Sequence, residues 1–279
     1  MLARDDVDVI DAATHPEVRA GILADALRAG KHALSQKPFA LDLDEGERLA
    51  DLAEEKGLKL AVNQNGRWAP HFAWIGQAID AGLIGEVQAI HLAVHWDHSW
   101  TIGTPFDEIR HLVLYDFGIH WFDILCRFMG QREPLRVHAA VARAAGQANK
   151  APLLAHAAVE YDGAQATLIF DAATKFGASD QTMAIGTKGT LRSAGPDLCH
   201  QTVELAAQQG RAVPALEGEW FDNGFRGAMG ELLCAIEENR EPSNNARANL
   251  RSLALCFAAM QSADTGLAVK PGDARQAAK

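Results

Sequence analysis

The sequence contains no run of basic residues, and its 36 acidic residues outnumber its 26 basic ones. A formal net charge of −10 has the wrong sign for binding phosphate backbones, so we expect no nucleic-acid partner. No apolar run reaches the roughly 20 residues that cross a bilayer. The N-terminus lacks the basic and apolar regions of a secretory signal. We therefore expect a cytoplasmic protein with no membrane partner.

Cysteine is also scarce. Its four residues, Cys126, Cys199, Cys234 and Cys256, form no C-x-x-C pair, and we interpret them as reduced, mostly buried thiols. Hydrophobic residues make up 48% and charged residues 22% of the chain, as in an ordinary globular protein. At 279 residues the chain can bury a large core and exceeds the usual size of one domain.

One stretch combines a predicted core face with polar residues at helical spacing. Ile119, Phe122 and Leu125 recur as on the buried face of a helix. Asp116 and His120 lie four residues apart on a different face, so their side chains can reach one site. A carboxylate beside an imidazole tends to raise the imidazole pKa, and this pair suits a general acid or base. Both are candidate catalytic residues.

Two purely structural interpretations of this stretch also stay open. Asp116 also fits a helix N-cap, and His120 fits a solvated polar stripe. Gly118 lies between them, and glycine inside a helix costs about 1 kcal/mol relative to alanine. Such a glycine often marks close approach by a ligand or another backbone segment. A loose first turn is the other explanation.

The first third of the chain alternates short strands with helices. The predicted strands cover residues 7–13, 31–35 and 58–63, and the predicted helices about 16–29 and 44–56. This alternation is typical of a parallel sheet with right-handed crossovers, in which ligands bind at the carboxyl ends of the strands. Thr14-His15, Lys37 and Asn63 all lie at those ends, so we expect chemistry there.

The rest of the chain is mostly strand-like. The predicted elements are a helix at about 72–81, a strand at 86–95, strands between 136 and 213, and helices at about 221–239 and 247–265. Asp162-Gly163 predicts a hairpin, and residues 95–106 are typical of a loop over a small polar ligand. The change from βαβ units to an antiparallel meander places a domain boundary near residue 65, between segments 1–65 and 66–279.

Several short motifs, taken in order, resemble those of one enzyme family. They are Ala13-Thr14, Gly30-Lys31-His32, Gln36-Lys37-Pro38, Asp116-Phe117-Gly118-Ile119-His120, Gly186-Thr187-Lys188-Gly189-Thr190-Leu191, and the ending from Gln261 to Val269. Over nearly the whole chain they are similar to the glucose–fructose oxidoreductase / inositol dehydrogenase (Gfo/Idh/MocA) family. The resemblance implies an α/β fold, with a partial Rossmann domain followed by an α+β domain that has a large, open, mostly antiparallel sheet.

The resemblance also implies an activity. Family members are NAD- or NADP-dependent oxidoreductases of sugars, polyols, inositols and related hydroxy compounds. The lysine of the family's E-K-P motif maps onto Lys37, and its D-x-x-x-H pair maps onto Asp116 and His120. The glutamate of the E-K-P motif is Gln36 here. His120 would accept a hydroxyl proton, Asp116 would orient the imidazole or the substrate, and Lys37 would stabilise developing alkoxide.

Further residues are candidate ligand-binding groups. For the cofactor they are Thr14, His15, Lys37 and Asn63. For the substrate they are Arg67, Trp68, Trp96, His98 and Trp100, which suit stacking on sugar rings and hydrogen bonds to hydroxyls. The alternative interpretations are a helix N-cap at Thr14 or His15 and buried packing of the aromatic residues.

The glycine motif of a complete dinucleotide fold is missing. That fold carries G-x-G-x-x-G in its first strand–helix turn, and none of the 24 glycines here forms such a motif. The first predicted strand resembles the fourth strand of the complete fold. We expect that Met1 is an internal methionine of a longer gene product, or that the chain is a shortened paralogue. These 279 residues should then bind NAD or NADP with a Kd on the order of millimolar or worse.

Two other functions stay open. A non-catalytic sugar-binding or regulatory paralogue would keep the substrate groups and lose cofactor binding. A metal-dependent sugar isomerase or lyase would use His95, Asp97, His98 and His111, but the spacing of these residues is a weak metal signal, and we assign no metal site.

The remaining predictions concern partners. We expect a small polyol or sugar as the substrate. Strands at about 152–172 carry small residues on both faces, so helices of the same domain cannot easily cover both. We therefore predict a homo-oligomer, a dimer or tetramer, formed through the open sheet.

Overall fold

The computed structural model describes residues 1–277 and contains two β-sheets with helices packed around them. The strands are β1 (Val9–Ala12), β2 (His32–Ser35), β3 (Leu60–Val62), β4 (Val87–His95), β5 (Pro134–Ala142), β6 (Leu154–Tyr161), β7 (Ala164–Asp171), β8 (Ser179–Gly186), β9 (Gly189–Gly195), β10 (Thr202–Ala207) and β11 (Gly210–Ala212). The helices are α1 (Pro16–Arg28), α2 (Leu43–Glu55), α3 (Pro70–Asp80), α4 (Ile119–Met129), α5 (Trp220–Glu237) and α6 (Ala246–Thr265).

The first sheet is parallel and has the strand order β1-β2-β3. Ala12 pairs with Ser35, and β2 pairs in turn with β3. The carboxyl ends of the three strands therefore lie at one edge of the sheet, where Thr14, Lys37 and Asn63 follow them. The predicted βαβ alternation is confirmed, and it brings these side chains to the edge at which parallel sheets bind ligands.

The second sheet has eight strands in the order β11-β10-β9-β8-β4-β7-β6-β5. Of its strand pairs, β4 and β7 run parallel, and the other six pairs run antiparallel. The predicted hairpin is present, with Tyr161 paired to Ala164 and Gly163 in the left-handed region at φ 68°. The expected α/β fold, with a small parallel sheet and a large, mostly antiparallel one, is confirmed.

The last two helices contact the first sheet, and α6 also contacts the second. α6 packs against α2 and β3 near the first sheet and against β5 of the second. Asn244, which precedes α6, donates from its side-chain amide to the carbonyl oxygen of Val62 at 2.9 Å and to that of Ala228 in α5 at 3.3 Å. These contacts connect α5 and α6 to the first sheet, so the boundary near residue 65 stays a prediction.

The helix predicted from Tyr115 onward is interrupted in the structure. A π-helical turn covers Val113–Phe117, and α4 begins only at Ile119. The N–H of Gly118 donates to the carbonyl oxygen of Val113, five residues back, at 2.8 Å. Asp116 therefore lies in the π-helical turn and His120 in the first turn of α4. The predicted core face is confirmed, because Ile119, Phe122 and Leu125 are buried.

Two expectations drawn from composition have different outcomes. All four cysteines are free; Cys256 is buried, Cys126 and Cys199 are half-buried, and Cys234 is exposed, so the prediction of mostly buried thiols holds for all but Cys234. Within residues 1–277, no helix combines the length and apolar composition needed to cross a membrane. The cytoplasmic location stays a prediction.

Candidate active site

A cavity of about 330 Å³ lies beside the carboxyl ends of the first sheet, between the π-helical turn and the start of α5. This volume is within the range of small-molecule sites, about 300–1,000 Å³. Its charged, amide and imidazole lining residues are Gln36, Lys37, Asn65, His98, Asp116 and His120. The structure therefore brings the three predicted catalytic residues into one cavity, although they come from separate elements.

Lys37 contacts Asp116 on the cavity wall. The Lys37 Nζ donates to the main-chain carbonyl oxygen of Asp116 at 2.8 Å and lies 3.2 Å from the carboxylate Oδ2. The two side chains are only 18% and 15% exposed. Because both side chains are mostly shielded from water, their charges interact more strongly than they would at the surface. The contact with Asp116 fixes the Lys37 ammonium at the cavity wall, where it can interact with an oxygen atom of a ligand.

His120 lies beside this pair and is half-buried. Burial lowers the pKa of its imidazole well below 6.5, and the positive charge of Lys37 lowers it further. The expectation that Asp116 raises the His120 pKa is therefore wrong, because the desolvation of His120 dominates and the Asp116 carboxylate contacts Lys37 instead. Nδ1 of His120 is buried with no partner among residues 1–277. The imidazole is neutral at physiological pH and can accept a proton.

Arg19 holds backbone segments of the site in place. This role was not predicted from the sequence. The buried Arg19 guanidinium donates to the carbonyl oxygen of Gln36 at 2.8 Å and to those of Pro38 and Thr14. One side chain thus fixes the segments that follow both β1 and β2. The sole sequence signal is its position in the first turn of α1, three residues after Pro16, and that signal does not specify these carbonyl partners.

The predicted cofactor-binding residues lie at the edge of the first sheet. Thr14 Oγ1 and Asn63 Oδ1 are buried with no hydrogen-bond partner in the described part of the chain. The N-cap of α1 is His15, which is exposed and makes no side-chain capping bond. Thr14 is therefore not the helix cap, and its hydroxyl remains available.

The predicted substrate-binding residues divide into two groups. Trp96, His98 and Trp100 line the cavity, whereas Arg67 and Trp68 are not among its lining residues. Arg67 instead makes a two-pronged ion pair with the buried Asp123, at 2.6 and 2.7 Å. The Trp68 indole packs against α5. Both have structural contacts that account for them, so we leave them out of the proposed substrate site.

His98 lines the cavity and also belongs to an aromatic cluster in the cavity wall. Burial lowers its pKa to about 4, so its imidazole is neutral. Its ring stacks on Trp96 with the centroids 5.6 Å apart and packs against Phe117 at 4.3 Å. Trp96 also meets Trp121 edge to face at 5.6 Å. The expected aromatic loop therefore has a packed inner part, which agrees with the interpretation of these rings as core.

The residues of the metal hypothesis are not brought together. His95 contacts Asp171 at 2.7 Å, and His111 contacts Asp264 at 2.9 Å. Among residues 1–277, no group of three or more histidine, cysteine, aspartate or glutamate side chains is placed to hold a metal ion. The isomerase or lyase hypothesis therefore loses its proposed ligand set.

The contribution of α5 to the cavity was not predicted from the sequence. The Trp220 Nε1 donates to Asn65 Oδ1 at 3.1 Å, and Phe221 and Phe225 also line the cavity. The spacing of aromatic residues at the start of α5 is visible in the sequence. The contact of α5 with residue 65 is not, because the two segments are 155 residues apart.

Comparisons with protein families match two parts of the chain. Residues 1–64 match the model of an oxidoreductase family with an NAD-binding Rossmann fold, and residues 72–192 match the GFO/IDH/MocA C-terminal domain. Both models describe the same family, and together they cover most of the chain.

Similar proteins agree with this match. The chain is 27% identical to inositol 2-dehydrogenase of Rhizobium meliloti, over 92% of this chain and 78% of that protein. It is also 27% identical to D-apiose dehydrogenase of Paraburkholderia graminis, over 97% and 74%. An oxidoreductase from Agrobacterium radiobacter, solved with NAD+, L-tartaric acid and magnesium, has the same fold, with a TM-score of 0.85 at 22% identity over 98% of this chain and 82% of that one. The chain therefore belongs to the Gfo/Idh/MocA family of NAD-binding oxidoreductases.

Proposed function

We propose that the protein oxidises a secondary hydroxyl of a sugar, polyol, inositol or related compound, with NAD+ or NADP+ as the oxidant. The observation that carries the proposal is the contact of Lys37 with Asp116 in a cavity that His120 also lines. The names of two relatives, inositol 2-dehydrogenase and D-apiose dehydrogenase, support this substrate class.

The three residues have separate roles in the proposed reaction. His120 accepts the hydroxyl proton, because its low pKa keeps the imidazole neutral; Nε2 is the acceptor, since Nδ1 is buried. Lys37 stabilises the negative charge that develops on the same oxygen. Asp116 holds the Lys37 ammonium through its main-chain carbonyl and its carboxylate. The hydroxyl carbon loses hydrogen with its electron pair and becomes a carbonyl carbon.

The residues at the edge of the first sheet fit the nicotinamide end of the cofactor. When bound, NAD+ or NADP+ supplies the hydride acceptor. Thr14 Oγ1 and Asn63 Oδ1 are buried polar atoms without partners in the described residues, and such atoms are costly unless a ligand or water satisfies them. Together with Lys37 they would hold the nicotinamide amide and its ribose. The sequence contains no G-x-G-x-x-G turn, so we assign no pyrophosphate-binding residues.

We also propose that the protein is a homo-oligomer through the second sheet. The outward face of this sheet exposes His156, Ala158 and Ile169, and a groove of about 380 Å³ crosses it. A second copy would cover the apolar positions Ala158 and Ile169. Sedimentation at micromolar concentration is expected to show a dimer or a tetramer. A monomer would overturn this part of the proposal.

The activity is tested with a panel of inositols, sugars and polyols, each offered with NAD+ and with NADP+. Reduction of the cofactor is followed by absorbance for the wild type, for Lys37→Met, and for Lys56→Met as the matched control on the exposed end of α2. We expect Lys37→Met to lose about 10²–10³-fold in turnover and Lys56→Met to keep wild-type rates. Binding of a polyol without any turnover by the wild type would favour the non-catalytic paralogue instead.

A further inference from the structure

We propose that the substrate of this chain carries an aromatic substituent, which lies on one wall of the cavity while a neighbouring hydroxyl faces Lys37 and His120. This aromatic wall consists of Trp100, Phe221 and Phe225. The substrate class would thus be aryl glycosides or aryl-substituted diols. The inference rests on the proposed function, because it concerns the same cavity and names the substrate class.

The exposure of the aromatic wall is the first observation. Trp100 is 56% exposed, Phe221 54% and Phe225 46%, although large aromatic side chains usually lie mostly inside a folded protein. All three line the same cavity. Single exposed apolar residues need no explanation, but a contiguous group at a cavity marks a surface that a ligand or partner covers.

The rings of the aromatic wall are arranged as a platform. Phe221 and Phe225 lie four residues apart on α5, and their rings stack with the centroids 6.3 Å apart and the planes 21° apart. The Trp100 ring meets Phe106 edge to face at 5.7 Å. A flat aromatic group placed against these rings would gain both apolar burial and ring–ring contacts.

The polarity of the cavity sets the orientation of the substrate. Its charged, amide and imidazole residues are Gln36, Lys37, Asn65, His98, Asp116 and His120, whereas Leu198 lies with the aromatic wall among the apolar ones. A sugar hydroxyl placed against these apolar side chains would give up hydrogen bonds to water without replacement. An aromatic substituent loses nothing there, so the wall favours it over a second hydroxylated ring.

Trp100 is exposed but held firmly. It lies in a 3-10 turn, Ser99–Thr101, in which the Ser99 N–H donates to Asp97 Oδ1 at 2.9 Å. The Thr101 hydroxyl donates to the carbonyl oxygen of His98 at 2.8 Å and accepts from the buried amide of Asn149 at 2.7 Å. A fixed backbone lowers the entropy cost of ordering the indole on a ligand, which is expected of a binding wall and is not needed in a surface loop.

The test compares ligands that differ only in the substituent. The probes are the phenyl and methyl β-D-glucosides, galactosides and xylosides, together with racemic phenylethylene glycol and propylene glycol. Binding to the full chain is measured by calorimetry and by ligand-observed NMR. For at least one pair we expect the phenyl compound to bind about tenfold tighter or more, since a stacked ring adds both apolar burial and ring–ring contacts.

Variants of α5 assign the preference to the wall. The double variant Phe221→Ala/Phe225→Ala should reduce the phenyl advantage to less than about threefold. Phe176→Ala is the matched control, because Phe176 is 90% exposed and does not line this cavity. It should keep the full preference.

Each contrary result has a distinct meaning. Equal affinity within every pair, or no binding of any phenyl compound, overturns the inference. A change in sedimentation of the double variant with an unchanged phenyl preference also overturns it, because the wall would then be a subunit contact. Tight phenyl binding that depends on α5 but gives no reduction of NAD+ or NADP+ would contradict the proposed function and leave the aromatic wall as a binding site.

Discussion

The Lys37 ammonium donates to the main-chain carbonyl oxygen of Asp116 at 2.8 Å, across 79 residues of sequence. This hydrogen bond joins the segment after β2 to the π-helical turn before α4. It places a positive charge beside the half-buried imidazole of His120, whose pKa is lowered mainly by burial and further by that charge. The proposed proton acceptor and the proposed stabiliser of alkoxide therefore influence each other directly.

The first prediction concerns this electrostatic coupling. In Lys37→Met the positive charge near His120 is gone, so the His120 pKa should rise, while burial keeps it below 6.5. NMR titration of the histidine ring protons measures the change. In Lys56→Met the His120 pKa should not move. An unchanged His120 pKa in Lys37→Met would show that the two groups are not coupled.

The second prediction concerns Gly118. A Cβ atom at this position would lie 2.6 Å from the carbonyl oxygen of Leu114 and 2.8 Å from that of Val113. Both atoms belong to the backbone, so Gly118→Ala must shift the π-helical turn and with it Asp116. We expect a loss of about 1–3 kcal/mol in the free energy of unfolding and a fall in kcat. The close approach anticipated for this glycine is thus an approach by backbone.

A matched glycine provides the control for Gly118. Gly21 lies within α1, and a Cβ atom added there would meet no other atom within 4 Å. Gly21→Ala should therefore stabilise the protein slightly through helix propensity, by up to about 1 kcal/mol. Chemical denaturation and steady-state kinetics are measured on both variants. Equal behaviour of the two would contradict the proposed strain at Gly118.

The third prediction assigns a positioning role to Arg19. Arg19→Met leaves the carbonyl oxygens of Thr14, Gln36 and Pro38 without their buried donor, and each unsatisfied group costs about 1–3 kcal/mol. Because the segments carrying Thr14 and Lys37 both lose support, the KM for the cofactor should rise more than the KM for the substrate. Arg28→Met, an exposed position on the same helix, should change neither. Equal rises in both KM values would indicate a purely structural role.

The fourth prediction concerns Asp180, a buried carboxyl group on β8. It is 1% exposed, neither oxygen has a partner among residues 1–277, and burial raises its pKa to about 8. Between about pH 4 and pH 8 this carboxyl group therefore keeps a proton in the folded state that it releases in the unfolded state, so its own contribution to stability falls as pH rises through this window. The cost reaches roughly 4 kcal/mol at pH 7.

Asp180→Asn tests this dependence. Asparagine stays neutral at every pH, so the variant should lose that slope and be more stable than the wild type near pH 8. Thermal unfolding from pH 5 to pH 8 measures it, with Asp162→Asn in the exposed hairpin turn as the control. A stability difference between Asp180→Asn and the wild type that does not grow from pH 5 to pH 8 would contradict the raised pKa of Asp180.

Local patterns were sufficient for much of the fold. Strand and helix alternation predicted the parallel sheet, and Asp162-Gly163 predicted the β6–β7 hairpin. Features that depend on distant partners were not predictable. Arg67 was interpreted as a substrate ligand because its ion-pair partner, Asp123, lies 56 residues away. The π-helical turn was missed because hydrophobic spacing around Asp116 does not distinguish it from α-helix.

The candidate site shows the same division. The motif residues Lys37, Asp116 and His120 were identified from sequence, and the structure places them around one cavity. Another part of the lining comes from α5, which only tertiary packing brings to the cavity. The direction expected for the His120 pKa shift was also wrong, because burial, which sequence spacing does not reveal, outweighs a neighbouring carboxylate.

The most direct test of the central claim is the turnover number of His120→Ala, measured with an accepted polyol and saturating cofactor. His138→Ala, an exposed position on β5, is the control, and circular dichroism checks that both variants are folded. If His120 accepts the hydroxyl proton, its loss should lower kcat by about 10²–10⁴-fold, while His138→Ala keeps wild-type turnover. A folded His120→Ala variant with unchanged kcat would contradict the account.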